Sequence, residues 1–355
     1  MITRLISVIL AMIMAMVSAG CSDRNNQTSS EEIGASASTA ETGEPETVEP
    51  TVYLAKHSLS NPNANEFTQR TYDYICDMYG KKMLSCQQES TWMDSPDYEM
   101  NYIEETTGKL PAMRGLDFMN EDFDGVVRRS KEWWEKGGLV TICWHTGVDG
   151  KGYQESLNDN PDFDKLLTEG TDEYNSMIAN WDKAAEALLE LQEAGVPVLW
   201  RPFHEFDGQW FWWGKGGNEN FIKLWQMMYD RYTKKFGLNN LIWVLGYSGE
   251  VKDGWYPGDE YCDIIGSDTY DSSTNASAWK KLEALGTDKP FAFHECGNLP
   301  RFNKFEDDGC MWSWFMVWHT DHIKGNNVKN LTDIYNREEV ITLDELPTMS
   351  DYSAE

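Results

Sequence analysis

Residues 199–214 read Leu-Trp-Arg-Pro-Phe-His-Glu-Phe-Asp-Gly-Gln-Trp-Phe-Trp-Trp-Gly, gathering four tryptophans, an arginine, a histidine and two carboxylates into one run. Val196 to Trp200 is apolar and short, as a buried strand is, and Pro202 then removes a backbone donor and presses the residue before it into an extended conformation. Glu205 therefore falls just past a strand end. A carboxyl group there, followed by Gly208 and a fan of rings, suits a sugar. Aromatic faces pack on pyranose C–H groups, and the carboxyl group supplies a proton or a nucleophile. An aromatic core holding a structural His-Glu pair is the plainer alternative, but indoles in the company of charge and glycine do not compose an ordinary core. Zinc hydrolysis would need a second histidine one helical turn after His204, and that position is Gly208, so no metal or cofactor is expected.

Cleaving a glycosidic bond takes two carboxyl groups, so a partner for Glu205 must come from elsewhere in the chain. Glu295 is the best candidate, because it too follows a histidine, His294, at the end of an apolar run. Asp207 and Asp268 are rivals. Asp207 lies in a glycine-rich turn, and Asp268 reads more easily as a hydrogen-bonding scaffold.

Beyond residue 50 there are eight short apolar runs: 82–87, 110–116, 139–145, 196–200, 240–245, 262–267, 290–294 and 311–317. Helical periodicity fills several of the gaps, notably 124–136, 174–194 and 221–236. Eight alternations of strand and helix point to an α/β fold, a (β/α)8 TIM barrel forming a single catalytic domain. In such a barrel one face carries function. The strand ends predicted there hold Trp144-His145, His204-Glu205, Asp268 and Tyr270, His294-Glu295, and Trp318-His319, which place four of the six histidines at one mouth.

The run 201–214 closely resembles the acid/base signature of glycoside hydrolase family 26, whose best-known members are β-mannanases. The resemblance extends over essentially residues 51–355. Leu84-Ser85-Cys86-Gln87-Gln88 is similar to its first-strand motif, Gly108 to Asp117 to its second, Glu295-Cys296-Gly297 to its nucleophile strand, and Ile341 to Pro347 to its closing segment. Cys86, Cys296 and His319 depart from the pattern and bear on substrate selection. The resemblance implies a retaining mechanism with Glu205 as acid/base and Glu295 as nucleophile. It further implies that His204 holds the nucleophile, that Tyr270 lies against it, and that His145, Trp210, Trp318 and His319 contact the sugar. For Trp144, Trp212 and Trp213 a core role is at least as natural.

The chain has 355 residues, 41% of them hydrophobic, enough for one large core, and its sixteen tryptophans favour an aromatic-lined groove. Its formal net charge of −29 excludes a nucleic-acid partner, which needs clustered Lys and Arg, and is compatible with a neutral polysaccharide. Residues 1–20 carry Arg4, an apolar run from Leu5 to Val17 and then small residues, as a secretory signal does. Cys21 follows directly and resembles a bacterial lipoprotein box, so lipidation at Cys21 and a tether over residues 21–50, poor in large apolar residues, are expected. That places the protein in the bacterial cell envelope, lipid-anchored at the outer membrane or cell surface, or otherwise secreted, and any membrane association comes through the lipid alone. The remaining six cysteines show no C-x-x-C spacing, which disfavours zinc, and several fall within predicted strands as buried thiols. The leading function is a retaining endo-β-1,4-mannanase acting on β-mannan or a related plant polysaccharide. A β-1,3-1,4-glucanase or xylanase of the same family, or a non-catalytic glycan-binding surface lipoprotein, are the alternatives.

Overall fold

The computed structural model describes residues 55–354 apart from Ser272. The signal segment, Cys21 and the tether lie outside the described residues. Eight parallel strands form the barrel: β1 (Met83–Gln88), β2 (Met113–Asp117), β3 (Leu139–Cys143), β4 (Val198–Arg201), β5 (Leu241–Tyr247), β6 (Ile264–Thr269), β7 (Phe291–Cys296) and β8 (Trp314–Val317). Each is bonded to the next, and β1 pairs with both β2 and β8, so the ring closes. Every expected strand overlaps one of these. Because all eight run the same way, the residues that follow them converge on one mouth.

Alternation along the strands decides what reaches that mouth. Leu199, Ile242, Val244, Ile264, Ala292 and Trp314 join a core inside the barrel, while Trp200, Trp243, Leu245, Ile265 and Phe293 pack outward against the helices. Both strand faces are thus apolar, and each fully buried Leu or Ile contributes about 1.5–3 kcal/mol. The same period of two turns Arg201 on β4 and His294 on β7 back into the interior above the apolar plug.

Helices Phe123–Glu135 and Asp172–Glu193 lie where periodicity predicts them. In the longer one Met177, Trp181, Ala184, Ala185, Leu188 and Leu191 form the buried stripe, and the Thr171 side chain caps its start by accepting from the Tyr174 N–H. Helix Asn218–Asp230 continues into a π turn, Arg231–Lys235, which is why the apolar period runs on to Phe236.

Two features depart from the expected alternation. The connection from β5 to β6 contains only a short 3-10 turn, Asp259–Tyr261, in place of a helix. A ninth strand, β9 (Val340–Ile341), adds parallel to β1 outside the ring, reaching at Ile341 the start of the segment the sequence marks as the closing one. The six described cysteines are all free and buried. No described helix is long and apolar enough to cross a membrane.

Candidate active site

The backbone after β4 is unusual. Phe203 and Glu205 both adopt left-handed conformations, with φ of 52° and 54°, at a cost of order 1–3 kcal/mol each for residues with side chains. The Glu205 N–H is pinned by the Gly246 carbonyl on β5 at 2.8 Å. This bend presents the Glu205 carboxyl group, half-buried, to the mouth, where it accepts a hydrogen bond of 3.0 Å from Trp210 Nε1. Glu295 enters from β7 and is 1% exposed. Consecutive residues on a regular strand face opposite ways, yet His294 and Glu295 both point inward. Register shifts between Ser267 and Thr269 on β6, and between Phe293 and Cys296 on β7, supply the irregularity that re-aims them.

At the centre stands Arg201, wholly buried. Its Nη1 donates to Glu295 Oε1 at 2.8 Å and to His294 Nε2 at 2.9 Å; Nε donates to Thr141 Oγ1 at 3.0 Å and Nη2 to Gln88 Oε1 at 3.3 Å. Tyr270 completes the hold by donating to Glu295 Oε2 at 3.0 Å. Since His294 Nε2 accepts from arginine, its Nδ1 carries the proton and donates to Asp268 Oδ1 at 2.6 Å. Room for that imidazole comes from Gly246, where a Cβ would lie 2.4 Å from His294 Cε1.

Glu205, Asp268 and Glu295 each place a carboxylate oxygen within 4.8 Å of the others. Burial first, and then the charge of Glu295, raise the Glu205 carboxyl group from 4.5 to about 7. Asp268 is also raised, by burial and then by the same neighbours. The spacing suits a cation, as does that of Asp117, Cys143 and His145. In both groups a basic side chain of the protein already pairs with a carboxylate. Arg201 pairs with Glu295, and His145 has a raised pKa, the Asp117 charge outweighing the opposing effect of burial.

His204 needs correction. It donates no hydrogen bond to Glu295; its Nε2 meets His145 Nε2 at 3.1 Å, and its Nδ1 is buried without a partner. The left-handed residues on either side of it turn the ring toward β3, and Arg201 and Tyr270 take the holding role instead. His145 is oriented by Asp117 Oδ2 at 2.5 Å and packs against Trp318 with ring centroids 5.9 Å apart. Glu205, Glu295, Tyr270, Trp210, His145, His204 and Trp318 are thus brought together. His319 lies further out, beside Trp92 and His322. Trp144, Trp212 and Trp213 are core, and Asp207 is structural, accepting from the Ser248 N–H at 2.8 Å.

Residues 60–345 match the sequence profile of glycosyl hydrolase family 26. The chain belongs to this family. It is 33% identical over 321 residues, 83% of its length, to a mannan endo-1,4-beta-mannosidase of Thermothelomyces thermophilus, and it spans 64% of that relative's length. A GH26-CBM35 beta-(1,4)-mannanase of Podospora anserina superposes with a TM-score of 0.78 at 32% identity, over 85% of this chain and 72% of that one. A beta-mannanase from a symbiotic protist of the termite Reticulitermes speratus, complexed with gluco-manno-oligosaccharide, gives 0.76 at 29% identity, over 84% and 100%.

Within this GH26 site, sequence reasoning passed over Arg201, Gln88 and Asp117. Arg201 was the visible one: a lone charge at the end of an apolar strand on a barrel's inner face has to meet an opposite charge.

Proposed function

We propose that this chain is a retaining endo-β-1,4-mannanase that hydrolyses mannan-type polysaccharides by double displacement, with residues 51–355 as its catalytic domain. Its acid/base is Glu205 and its nucleophile Glu295. One observation carries the reading: the two carboxyl groups approach within 4.8 Å yet sit in opposite surroundings. Glu205 is driven to about 7 by burial and by its neighbour's charge, while Glu295 is ion-paired with Arg201. Retaining enzymes hold the two groups about 5–5.5 Å apart, whereas inverting ones need roughly 6.5–9.5 Å to admit a water.

In the first step a Glu295 oxygen bonds to the anomeric carbon as the bond to the leaving oxygen breaks, and Glu205 gives that oxygen its proton. In the second, the Glu205 carboxylate takes a proton from water, whose oxygen attacks the anomeric carbon and releases Glu295. Tyr270 and Arg201 keep the Glu295 oxygens aimed. Trp210 supplies both an indole face and the hydrogen bond that steadies Glu205. His145, His204, Trp318 and His319 line the path of the sugar chain. Mannan is chosen over β-glucans and xylan because relatives of the chain are named for mannan and one structural neighbour was captured with a gluco-manno-oligosaccharide.

Reducing-sugar release from mannan, xylan and lichenan tests the activity. Release from mannan well above the other two is expected. Preference for xylan or lichenan would move the reading to a xylanase or a mixed-linkage glucanase, and binding without release to a glycan-binding protein. We also propose that residues 1–20 are removed and that Cys21 is lipidated, anchoring the enzyme to the cell envelope through the tether over residues 21–50. The parent protein should then partition with membranes and Cys21→Ala should be released or left unprocessed, whereas wholly soluble behaviour of both would refute the anchor.

A further inference from the structure

Double displacement uses Glu205 and Glu295 and leaves Asp117 without a task. Asp117 ends β2 and His145 follows β3, the neighbouring strand, so carboxylate and imidazole meet with Oδ2 2.5 Å from Nδ1. The other oxygen, Oδ1, accepts from the His145 N–H at 3.0 Å and from the Met119 N–H at 2.9 Å. Burial pushes the Asp117 carboxyl group up, but His145 and the two backbone donors outweigh it, so the group stays ionised. Three donors fix the plane of the carboxylate, and the carboxylate fixes the ring. The two side chains are 10% and 3% exposed.

The far nitrogen of His145 decides how many protons the ring carries. Its Nε2 lies 3.1 Å from Nε2 of His204, and the rings meet edge to face with centroids 4.5 Å apart. At that distance one nitrogen donates and the other accepts. Nδ1 of His145 faces an ionised carboxylate, which only accepts, so Nδ1 carries a proton. Two arrangements are left. If His145 donates, it is an imidazolium, and neutral His204 keeps its proton on Nδ1. If His204 donates, His145 is neutral, and the buried Asp117 charge has no counter-ion, since among the described residues no lysine or arginine pairs with it. Leaving a buried carboxylate unpaired is the costlier of the two.

The surroundings favour the same arrangement. Burial opposes a charge on His145, yet Asp117, with Glu295 and Glu205 adding to it, raises the ring's pKa. Burial holds His204 well below the usual histidine range, and His145, Arg201 and His294 add to it. The remaining groups around His145 bring no charge. The Cys143 thiol on β3 is raised by burial and then by Asp117. Tyr153, whose ring lies 5.2 Å away on helix Tyr153–Asn158, is raised to about 12 by burial and then by the two glutamates. Phe211 and Trp318 are apolar neighbours.

We propose that Asp117 is a positioning residue of the reaction: it holds His145 as an imidazolium, a second fixed cation beside Arg201 at the two active-site carboxyl groups, and through the His145–His204 contact it sets the tautomer of His204. Between the two steps Glu205 has to persist as a carboxylate, and as Glu295 is released a second negative charge grows within 4.8 Å of it. Burial and Glu295 raise Glu205 to about 7, and the His145 charge pulls it the other way. The role given to the cation rests on the glycosidase reading above, whereas the charge assignment does not.

The test reads the protons directly. The protein, labelled with 15N in its histidine rings, is followed by NMR over the neutral pH range, with His145→Gln and His204→Gln used to assign the two rings. At about pH 7 His145 should show two protonated nitrogens and His204 one, at Nδ1. In Asp117→Asn the amide can donate to His145 Nδ1, so His145 should be neutral at the same pH. The basic limb of kcat/KM set by Glu205 should then move up by as much as about one pH unit, as loss of a nearby cation requires. A merely structural Asp117 would lower stability and leave that limb in place. A neutral His145 in the parent, or a His204 proton on Nε2, would overturn the proposal even if the variant does not fold. So would a folded Asp117→Asn whose limb is unmoved. If the parent shows the imidazolium but releases no sugar from mannan, xylan or lichenan, the glycosidase reading fails and the charge assignment stands.

Discussion

Replacing Arg201 with methionine separates the account of the site from a generic barrel. The side chain keeps a similar length and loses its charge. Arg201 and Glu295 are 0% and 1% exposed, so no water replaces the guanidinium, and Glu295 retains only the Tyr270 hydroxyl. Breaking a buried pair by removing one partner costs about 3–5 kcal/mol. The unfolding entropy of a domain of ~300 residues is about 0.6 kcal/mol per degree, so the melting temperature should fall by roughly 5–8 °C. Turnover should fall further than stability requires, because Oε1 of Glu295, the proposed nucleophile, loses the bond that aims it. Arg201→Lys should recover part of the stability and little of the rate, since an ammonium cannot span His294, Glu295 and Gln88 with one planar fork. Thermal melts and single-turnover kinetics on an aryl mannoside at a temperature well below both transitions read the two effects separately. A methionine variant that melts within 2 °C of the parent and keeps its rate would refute the central position given to Arg201.

Two other outcomes follow from the same geometry. With Glu205 raised to about 7 and needed in its protonated form for the first step, kcat/KM on natural oligosaccharides should fall about tenfold per pH unit above 7, and Glu205→Gln should abolish that limb; a limb that persists in the variant assigns it to another group. Gly246→Ala would set a methyl 2.4 Å from the His294 ring, and should cost about 1–3 kcal/mol in a thermal melt and disturb the Arg201 contact, whereas an unchanged melt would show that His294 has room to move.

Most of the barrel was legible because each strand is a short apolar run, buried on both faces, that ends where polar residues begin. The two glutamates were legible for the same reason: a carboxyl group just past such a run has to lie at the mouth. Arg201 was passed over because the apolar run stops at Trp200, one residue before the strand does, although a charge at that edge is itself the signal of a buried partner. The hold on Glu295 was misjudged at His204 because the ring's direction depends on left-handed backbone at Phe203 and Glu205, which neither residue type announces. Nor does alternation place His294 and Glu295 on one side; that depends on register shifts between β6, β7 and β8, set by partners distant in sequence. The missing helix between β5 and β6 and the short β9 are cases where packing, not local pattern, sets the element. Nothing in the local sequence pairs Glu89 with Arg114 and Arg129; the fold brings the three together and buries them.

The division of labour between the two glutamates is tested most directly by the product that azide forms. With Glu205→Ala and an aryl mannoside whose leaving group needs no proton, the first step should proceed, the glycosyl-Glu295 intermediate should accumulate, and azide should restore turnover by replacing the activated water. The product should be the β-mannosyl azide, because the anion attacks from the face that water would have used. Rescue of Glu295→Ala instead, giving the α-azide, would contradict the account by exchanging the two roles.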